Sequence, residues 1–241
     1  MGLTCALALR AIGVPTTVLE AEPEDGPRAG SRAIYAHRAS LELLERVHPD
    51  LGREIAADGL VWPAKRTFWR GREVFARTYP PPAADRLPPF TSLPQTEMER
   101  HLVQACAATG VEVVRGARVE ALIGGSAGVE VRTSTGETWT ADYVVGADGA
   151  HSAIRRAVAI PMEGTQSESA FVVVDVTEDP ERPTPPERIF HYQHPAVGRR
   201  NVMLVPFAGG WRADLQCRRG DDPARFGSPD GVRSWIAGVL G

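Results

Sequence analysis

The sequence predicts an α/β fold in which helix–strand units are interrupted by strand-only stretches. Three observations predict it. Near the N-terminus, Leu3, Ala6, Leu7 and Arg10 recur at helical spacing and lead into the short run Thr16–Glu20. The stretch Tyr143–Arg156, YVVGADGAHSAIRR, passes from an apolar run through a glycine turn into a helix pattern. Residues 59–79 and 169–217 alternate or run apolar in short segments with no helical period.

Taken in order, Gly2–Ile12 reads as a helix closed by Gly13, followed by the strand Thr16–Glu20. Glu22–Gly30 is a polar loop. Ser40–Val47 is helical, with Leu41, Leu44 and Val47 on one face. Leu60–Trp62, Arg66–Trp69 and Glu73–Arg77 are β-like, and the proline-rich 80–89 that follows cannot carry a regular ladder. SLPQTEMERHL opens a helix reaching Thr109, then Gly110–Val114 reads as a strand. Arg118–Ile123, Gly128–Thr133 and Glu137–Thr140 form a predicted meander. Within it, Gly124–Gly128 matches G-x-S-x-G, but a serine nucleophile needs a strand-to-helix elbow and these glycines lie between two strands. Tyr143–Val145 is a predicted buried strand and Ala150–Val158 a helix. Four more strands are expected at Ser169–Val176, Glu187–Tyr192, Asn201–Phe207 and Gly210–Cys217, and a last helix at Asp230–Leu240.

The bulk numbers bound the function classes. The chain of 241 residues suits one large domain or two small ones, and its 43% apolar and 24% charged residues are those of a globular protein. A net charge of −3 argues against a nucleic-acid partner. Cys5, Cys106 and Cys217 are scattered without zinc spacing and read as free thiols in a reducing cytosol. His191 and His194 are three apart, a spacing that a regular strand does not bring to one face, so no metal site is expected. No apolar run approaches the roughly 20 residues of a membrane span. Arg10 interrupts the one signal-like stretch, MGLTCALALRAIGV, and the myristoylation pattern lacks its Ser or Thr at position six. A cytoplasmic protein without a membrane partner is expected.

The chemistry centres on Gly146–Arg155. A strand, a glycine turn and a helix start present free backbone N–H groups, which suit an anion. The charge of Asp148 would repel a phosphate, so its expected role is to accept from ribose hydroxyls or a bridging water while Arg155 supplies positive charge. Gly146, Ala147, Asp148, Gly149, Ser152 and Arg155 together read G-A-D-G-x-x-S-x-x-R. This pattern resembles the second nucleotide motif of the class A flavoprotein monooxygenases, the aromatic hydroxylases. The plain alternative is an ordinary strand–turn–helix corner.

The resemblance extends along nearly the whole chain and implies a Rossmann-like FAD-binding domain interleaved with a smaller β-sheet-rich substrate domain. It implies FAD-binding segments at 1–58 and 93–161 and substrate-domain segments at 59–92 and 162–241. Gly2-Leu3 matches the end of the family's first glycine turn. Glu20, 18 residues after Gly2, occupies the position of the ribose-binding acid after the second strand. Arg32 matches an arginine near the flavin and nicotinamide, and Gln95 a glutamine that contacts the flavin. A solvated loop cation for Arg32, a first-turn helix residue for Gln95 and a strand-end charge for Glu20 are the structural alternatives. No catalytic residue is expected from the protein, because FAD reduced by NADPH or NADH carries the oxygen chemistry and the protein orients a small aromatic substrate. The family's first strand and later Gly-Asp motif have no counterpart in the sequence, so the expectation is a truncated form that binds FAD weakly or not at all. Asp148, flanked by glycines, is expected to matter more for nucleotide binding than for folding. A flavin-free remnant of the fold, acting as a binding or subunit partner, is the alternative function.

Overall fold

The computed structural model describes residues 1–24, 35–82, 86–125, 128–165, 169–181 and 183–240. Helix α1 (Gly2–Ala11) ends as expected, with Gly13 at φ +84° donating its N–H to Arg10. Strand β1 (Thr17–Leu19) follows. Next come β2 (Tyr35–His37), α2 (Arg38–Val47) and α3 (Leu51–Asp58). The sequence reading missed α3, whose anchors Leu51 and Ile55 are one helical turn apart and fully buried. Hairpin β3 (Ala64–Trp69) and β4 (Arg72–Thr78) leads to β5 (Phe90–Ser92) and α4 (Gln95–Thr109). Strands β6 (Glu112–Val114), β7 (Val119–Gly125), β8 (Gly128–Thr133) and β9 (Thr138–Ala141) precede the short α5 (Ala153–Ala157). The chain then runs through β10 (Phe171–Thr177), β11 (Arg188–His194), β12 (Arg200–Phe207), β13 (Gly210–Gln216), α6 (Pro223–Gly227) and α7 (Pro229–Leu240).

Two compact units emerge, each assembled from separated stretches of chain. The first comprises Met1–Ala29, Leu43–Leu51 and Glu99–Thr165, and the second Gly30–Glu42, Gly52–Met98 and Gln166–Gly241. In the first, β1 and β6 pair in parallel, Thr17 to Glu112 through Leu19 to Val114. Ala6 and Leu7 of α1 are buried there, as are Ala105 and Cys106 of α4. Arg10 ties the two helices by donating from Nε to the Thr109 carbonyl at 2.8 Å. Strands β7, β8 and β9 form the expected antiparallel meander. Gly125 faces Gly128 at its first turn, a hairpin and not a nucleophile elbow; Ser126 lies outside the described residues.

The second unit is built on a six-stranded sheet in the order β10-β13-β12-β11-β3-β4. One face packs Val172, Val202, Leu204, Ala213 and Leu215 with Trp235 of α7. Val202, Ala213 and Leu215 are fully buried. Covering an antiparallel face with a helix accounts for the period-2 pattern of these strands. The same unit holds β2 paired with β5, beside an aromatic cluster of Tyr35, Trp62, Tyr79 and Phe90.

Three expectations need correction. Tyr143–Val145 forms no strand: among the described residues nothing pairs with it, and Tyr143 is 88% and Val145 60% exposed. An apolar run becomes a buried strand only when a neighbour completes its ladder and covers its side chains. The expected helix Ala150–Val158 shrinks to five residues, because Gly149 at φ +76° and the turn after it precede the cap at Ser152. His191 and His194 also come together, with ring centroids 4.6 Å apart in an edge-on pair. A register shift between them, with Gln193 at φ +51°, breaks the alternation that would have separated them. Among the described residues, no group of three metal-ligating side chains exists.

Candidate functional site

Of the sequence-predicted residues of the first unit, Gly2 lies beside the Gly146–Gly149 turn. Five residues, 12–16, separate α1 from β1. Gly2 begins α1 with no side-chain cap from Met1, so the first N–H groups of the helix keep their capacity for an outside acceptor. A Cβ on Gly2 would stand 3.5 Å from Ala147 Cβ, which brings the 146–149 turn against the same helix end.

Glu20 follows β1 directly. Its N–H donates to the Val114 carbonyl at 2.8 Å and its own carbonyl accepts from Ala117 N–H at 2.9 Å, so the turn is pinned to the end of β6. Its Oε1 accepts from Glu22 N–H at 3.0 Å. The backbone is thus fixed while the carboxylate keeps acceptor capacity for a ligand.

In the turn itself, Gly146 is required by contact: a Cβ there would lie 2.9 Å from Ile154 Cγ2. Gly149 is required by conformation, at φ +76° with open space around it. Asp148 departs from expectation. Its Oδ2 accepts from Ala153 N–H at 2.6 Å and Ile154 N–H at 3.1 Å, and its Oδ1 from the Ser152 hydroxyl. Ser152 Oγ in turn accepts from Arg155 N–H at 2.9 Å. The carboxylate expected to accept from ribose hydroxyls or a bridging water is therefore engaged at the start of α5, because the first N–H groups of that helix need acceptors and favour negative charge. Burial pushes the Asp148 pKa up, but the hydrogen bonds from Ser152 and from the Ile154, Asp148 and Ala153 backbone outweigh it and hold the pKa below the ordinary value.

Arg155 donates from Nη1 to the Ala150 carbonyl at 2.9 Å, closing the same turn. Its Nε is buried without a hydrogen-bond partner. Arg156 reaches the His151 carbonyl at 2.7 Å and plays the same local part on the exposed side. Of the remaining candidates, Gln95 is exposed at the start of α4 in the second unit, and Arg32 lies outside the described residues.

These residues fit a dinucleotide in their chemistry. An uncapped helix N-terminus, an acidic residue after a parallel strand and an arginine with an orphaned buried nitrogen together offer donors for a diphosphate and an acceptor for ribose. Sequence reasoning missed the polar side chains on the sheet of the second unit, Arg188, Arg212 and Asp214. The signal was there in WRADLQ, where charged residues alternate with Ala213 and Leu215.

Comparison with known proteins agrees with this reading of the fold. Residues 1–229 match the family described as FAD binding domain. A rifampicin monooxygenase from Streptomyces venezuelae is 33% identical over 191 residues, covering 76% of this chain and 37% of that protein. A 6-methylpretetramide 4-monooxygenase from Streptomyces rimosus is 29% identical over all of this chain and 42% of its own length. This chain thus spans about two fifths of the length of these relatives. Among solved structures, the tetrameric form of 2-methyl-3-hydroxypyridine-5-carboxylic acid oxygenase superposes with a TM-score of 0.79 at 20% identity, over 99% of this chain and 62% of that one. The flavin-dependent monooxygenase PieE, in complex with FAD and substrate, gives 0.80 at 20% identity over 99% and 45%. The likeness to these structures establishes a mixed α/β, Rossmann-like fold.

Proposed function

Because this chain belongs to the FAD binding domain family, we propose that it provides the FAD site and part of the substrate site of an NAD(P)H-dependent aromatic monooxygenase. The observation that supports this reading is the approach of the Gly146–Gly149 turn to Gly2 at the start of α1 in the first unit. In this reading Glu20 accepts from the ribose hydroxyls, and the first N–H groups of α1 and the guanidinium of Arg155 hold the diphosphate. Asp148 positions Arg155 and the start of α5. Gln95 and Arg32 contribute from outside that turn. Bound FAD would supply the redox chemistry by which oxygen enters an aromatic ring. The division into FAD-binding segments 1–58 and 93–161 and substrate segments 59–92 and 162–241 is part of the same proposal. NADPH and NADH are equally compatible with the residues present.

A second reading keeps the fold without the flavin, as a binding partner. It is favoured by exposed apolar side chains in two stretches, Tyr143 and Val145, then Val158, Ile160 and Met162, between 55% and 88% exposed. One titration separates the two. Purified chain is mixed with FAD while flavin fluorescence and the visible spectrum are followed. Saturable quenching that weakens at least tenfold in Glu20→Gln supports the first reading. No FAD binding by the unaltered chain, up to millimolar FAD, leaves the second.

A further inference from the structure

We propose that the cavity between the start of α2 and the proline-rich chain after β4 binds the diphosphate of a nicotinamide dinucleotide, with Arg38 as its anchor. The inference rests on the NAD(P)H-dependent reading above. The cavity measures about 400 Å³ and is lined by Arg38, Tyr79, Arg86 and the prolines at 80–82 and 89, all of the second unit.

Local bonding fixes its walls. The Arg38 N–H donates to the Pro89 carbonyl at 3.0 Å, and its Nε donates to the carbonyls of Leu87 at 2.8 Å and Pro88 at 3.4 Å. One residue thus ties the start of α2 to the chain that leads into β5. On the other side, the Tyr79 N–H donates to the Pro63 carbonyl at 2.7 Å. The Tyr79 ring is set edge-on against Trp62 and Phe90, with centroids 5.5 and 5.6 Å away. The guanidinium of Arg77 stands 5.0 Å from the centre of the same ring.

Positive charge is left uncompensated in this arrangement. An arginine side chain has donors on all three nitrogens. Arg38 uses only Nε within the protein: among the described residues Nη1 and Nη2 have no partner and the side chain forms no ion pair. Arg77 has no ion pair there either. No carboxylate lines the cavity among the described residues, although the chain as a whole carries a net charge of −3. Arg38 is half-buried, which strengthens its attraction for an anion.

Charge and shape then select the ligand. The Nη pair of Arg38 matches two phosphate oxygens at once, and Arg86 brings a second cation to the same cavity. Two cations suit the two charges of a diphosphate better than the single charge of a carboxylate. The proline rings and Tyr79 form a stiff apolar wall on which adenine lies flat. Diphosphate and adenosine are common to NADH and NADPH, so this site takes either.

The probe is ADP-ribose, which carries both groups and no flavin, titrated calorimetrically into the 241-residue chain. Saturable binding is expected, with adenosine, which lacks the diphosphate, at least about tenfold weaker. NADH and NADPH should bind alike. Arg38→Gln should weaken ADP-ribose at least about tenfold, and Arg38→Lys, which keeps the charge but loses the fork, by less. The ligand ranking on the unaltered chain stands even if a variant fails to fold. FAD also contains an ADP group, so Glu20→Gln is titrated alongside. It should weaken FAD and leave ADP-ribose unchanged, whereas Arg38→Gln should leave FAD unchanged. ADP-ribose binding that falls in Glu20→Gln and survives Arg38→Gln would assign it to the flavin site and overturn the proposal. So would equal affinity for adenosine, or no saturable binding. Arg38-dependent ADP-ribose binding in a chain that binds no FAD keeps this site and removes the cofactor reading; FAD binding without it does the reverse.

Discussion

Two apolar runs of nearly the same composition meet different fates. Phe171-Val172-Val173-Val174 begins β10, paired with β13 from Phe171–Gln216 through Thr177–Gly210, and Val172 is 8% exposed. Tyr143-Val144-Val145 is no less rich in β-formers, yet among the described residues it has no ladder partner and Tyr143 is 88% exposed. Intrinsic strand preference is therefore not what separates them. A neighbour that supplies hydrogen bonds and a helix that covers one face make the first a strand, and the second lacks both.

The largest test of this contrast is in the core. Trp235 is 4% exposed and its Nε1 donates to the Phe226 carbonyl at 3.2 Å, so Trp235→Ala should cost about 3–5 kcal/mol in urea unfolding. Tyr143→Ser should change the same measurement by less than about 0.5 kcal/mol. A comparable loss from both would mean that the 143–145 run is buried in solution.

A smaller effect is expected where the turn after that run is held. Gly146→Ala puts a methyl 2.9 Å from Ile154 Cγ2 and should destabilise by about 1–3 kcal/mol. Gly2→Ala, with 3.5 Å to its nearest neighbour, should be tolerated in a parallel thermal melt. Equal behaviour of the two variants would show that the 146–149 turn yields to accommodate the methyl.

Asp148→Ala removes the acceptor for the Ala153 and Ile154 N–H groups at the start of α5 and should lower stability by about 0.5–2 kcal/mol. The sign of its pH dependence follows from its lowered native pKa. Its contribution is complete above the ordinary aspartate value of 3.8 and is lost as pH falls through the lower native value. Comparing parent and variant melts below pH 4 checks this; a gap between them that stays constant down to the lowest pH would contradict the capping role.

His191 gives a further pH-dependent effect, at higher pH. Burial, with His194 nearby, lowers its pKa from 6.5 to about 4. The unfolded chain therefore takes up this proton first, and stability should decline as pH falls from 6.5 toward 4. His191→Phe, which keeps a ring to stack on Phe68, should flatten that part of the profile. An unchanged slope would assign the pH dependence elsewhere.

The sequence by itself determined the elements whose signals are local. Helical spacing with Gly13 at φ +84° defined α1, and period-2 alternation marked the meander and the four strands from Phe171 to Gln216. It also singled out Gly146 and Gly149 and the spacing to Ser152 and Arg155, because turn geometry depends on adjacent residues. Only the tertiary structure decided the rest. The 143–145 run depends on a neighbour that sequence periodicity cannot supply. Helix α3 rests on burial of Leu51 and Ile55, and the His191–His194 contact on a bulge at Gln193. Asp148 binds the backbone of residues five and six positions on, so its role as a cap follows from where α5 begins, and α5 begins three residues later than its apolar pattern suggests. Arg212 and Asp214 read as ordinary strand charges until register sets them opposite Asp175 and Met203, where one nitrogen and one oxygen are left buried without partners. Pairing and burial are properties of residues far apart in the chain, and they come into being only when the chain has folded.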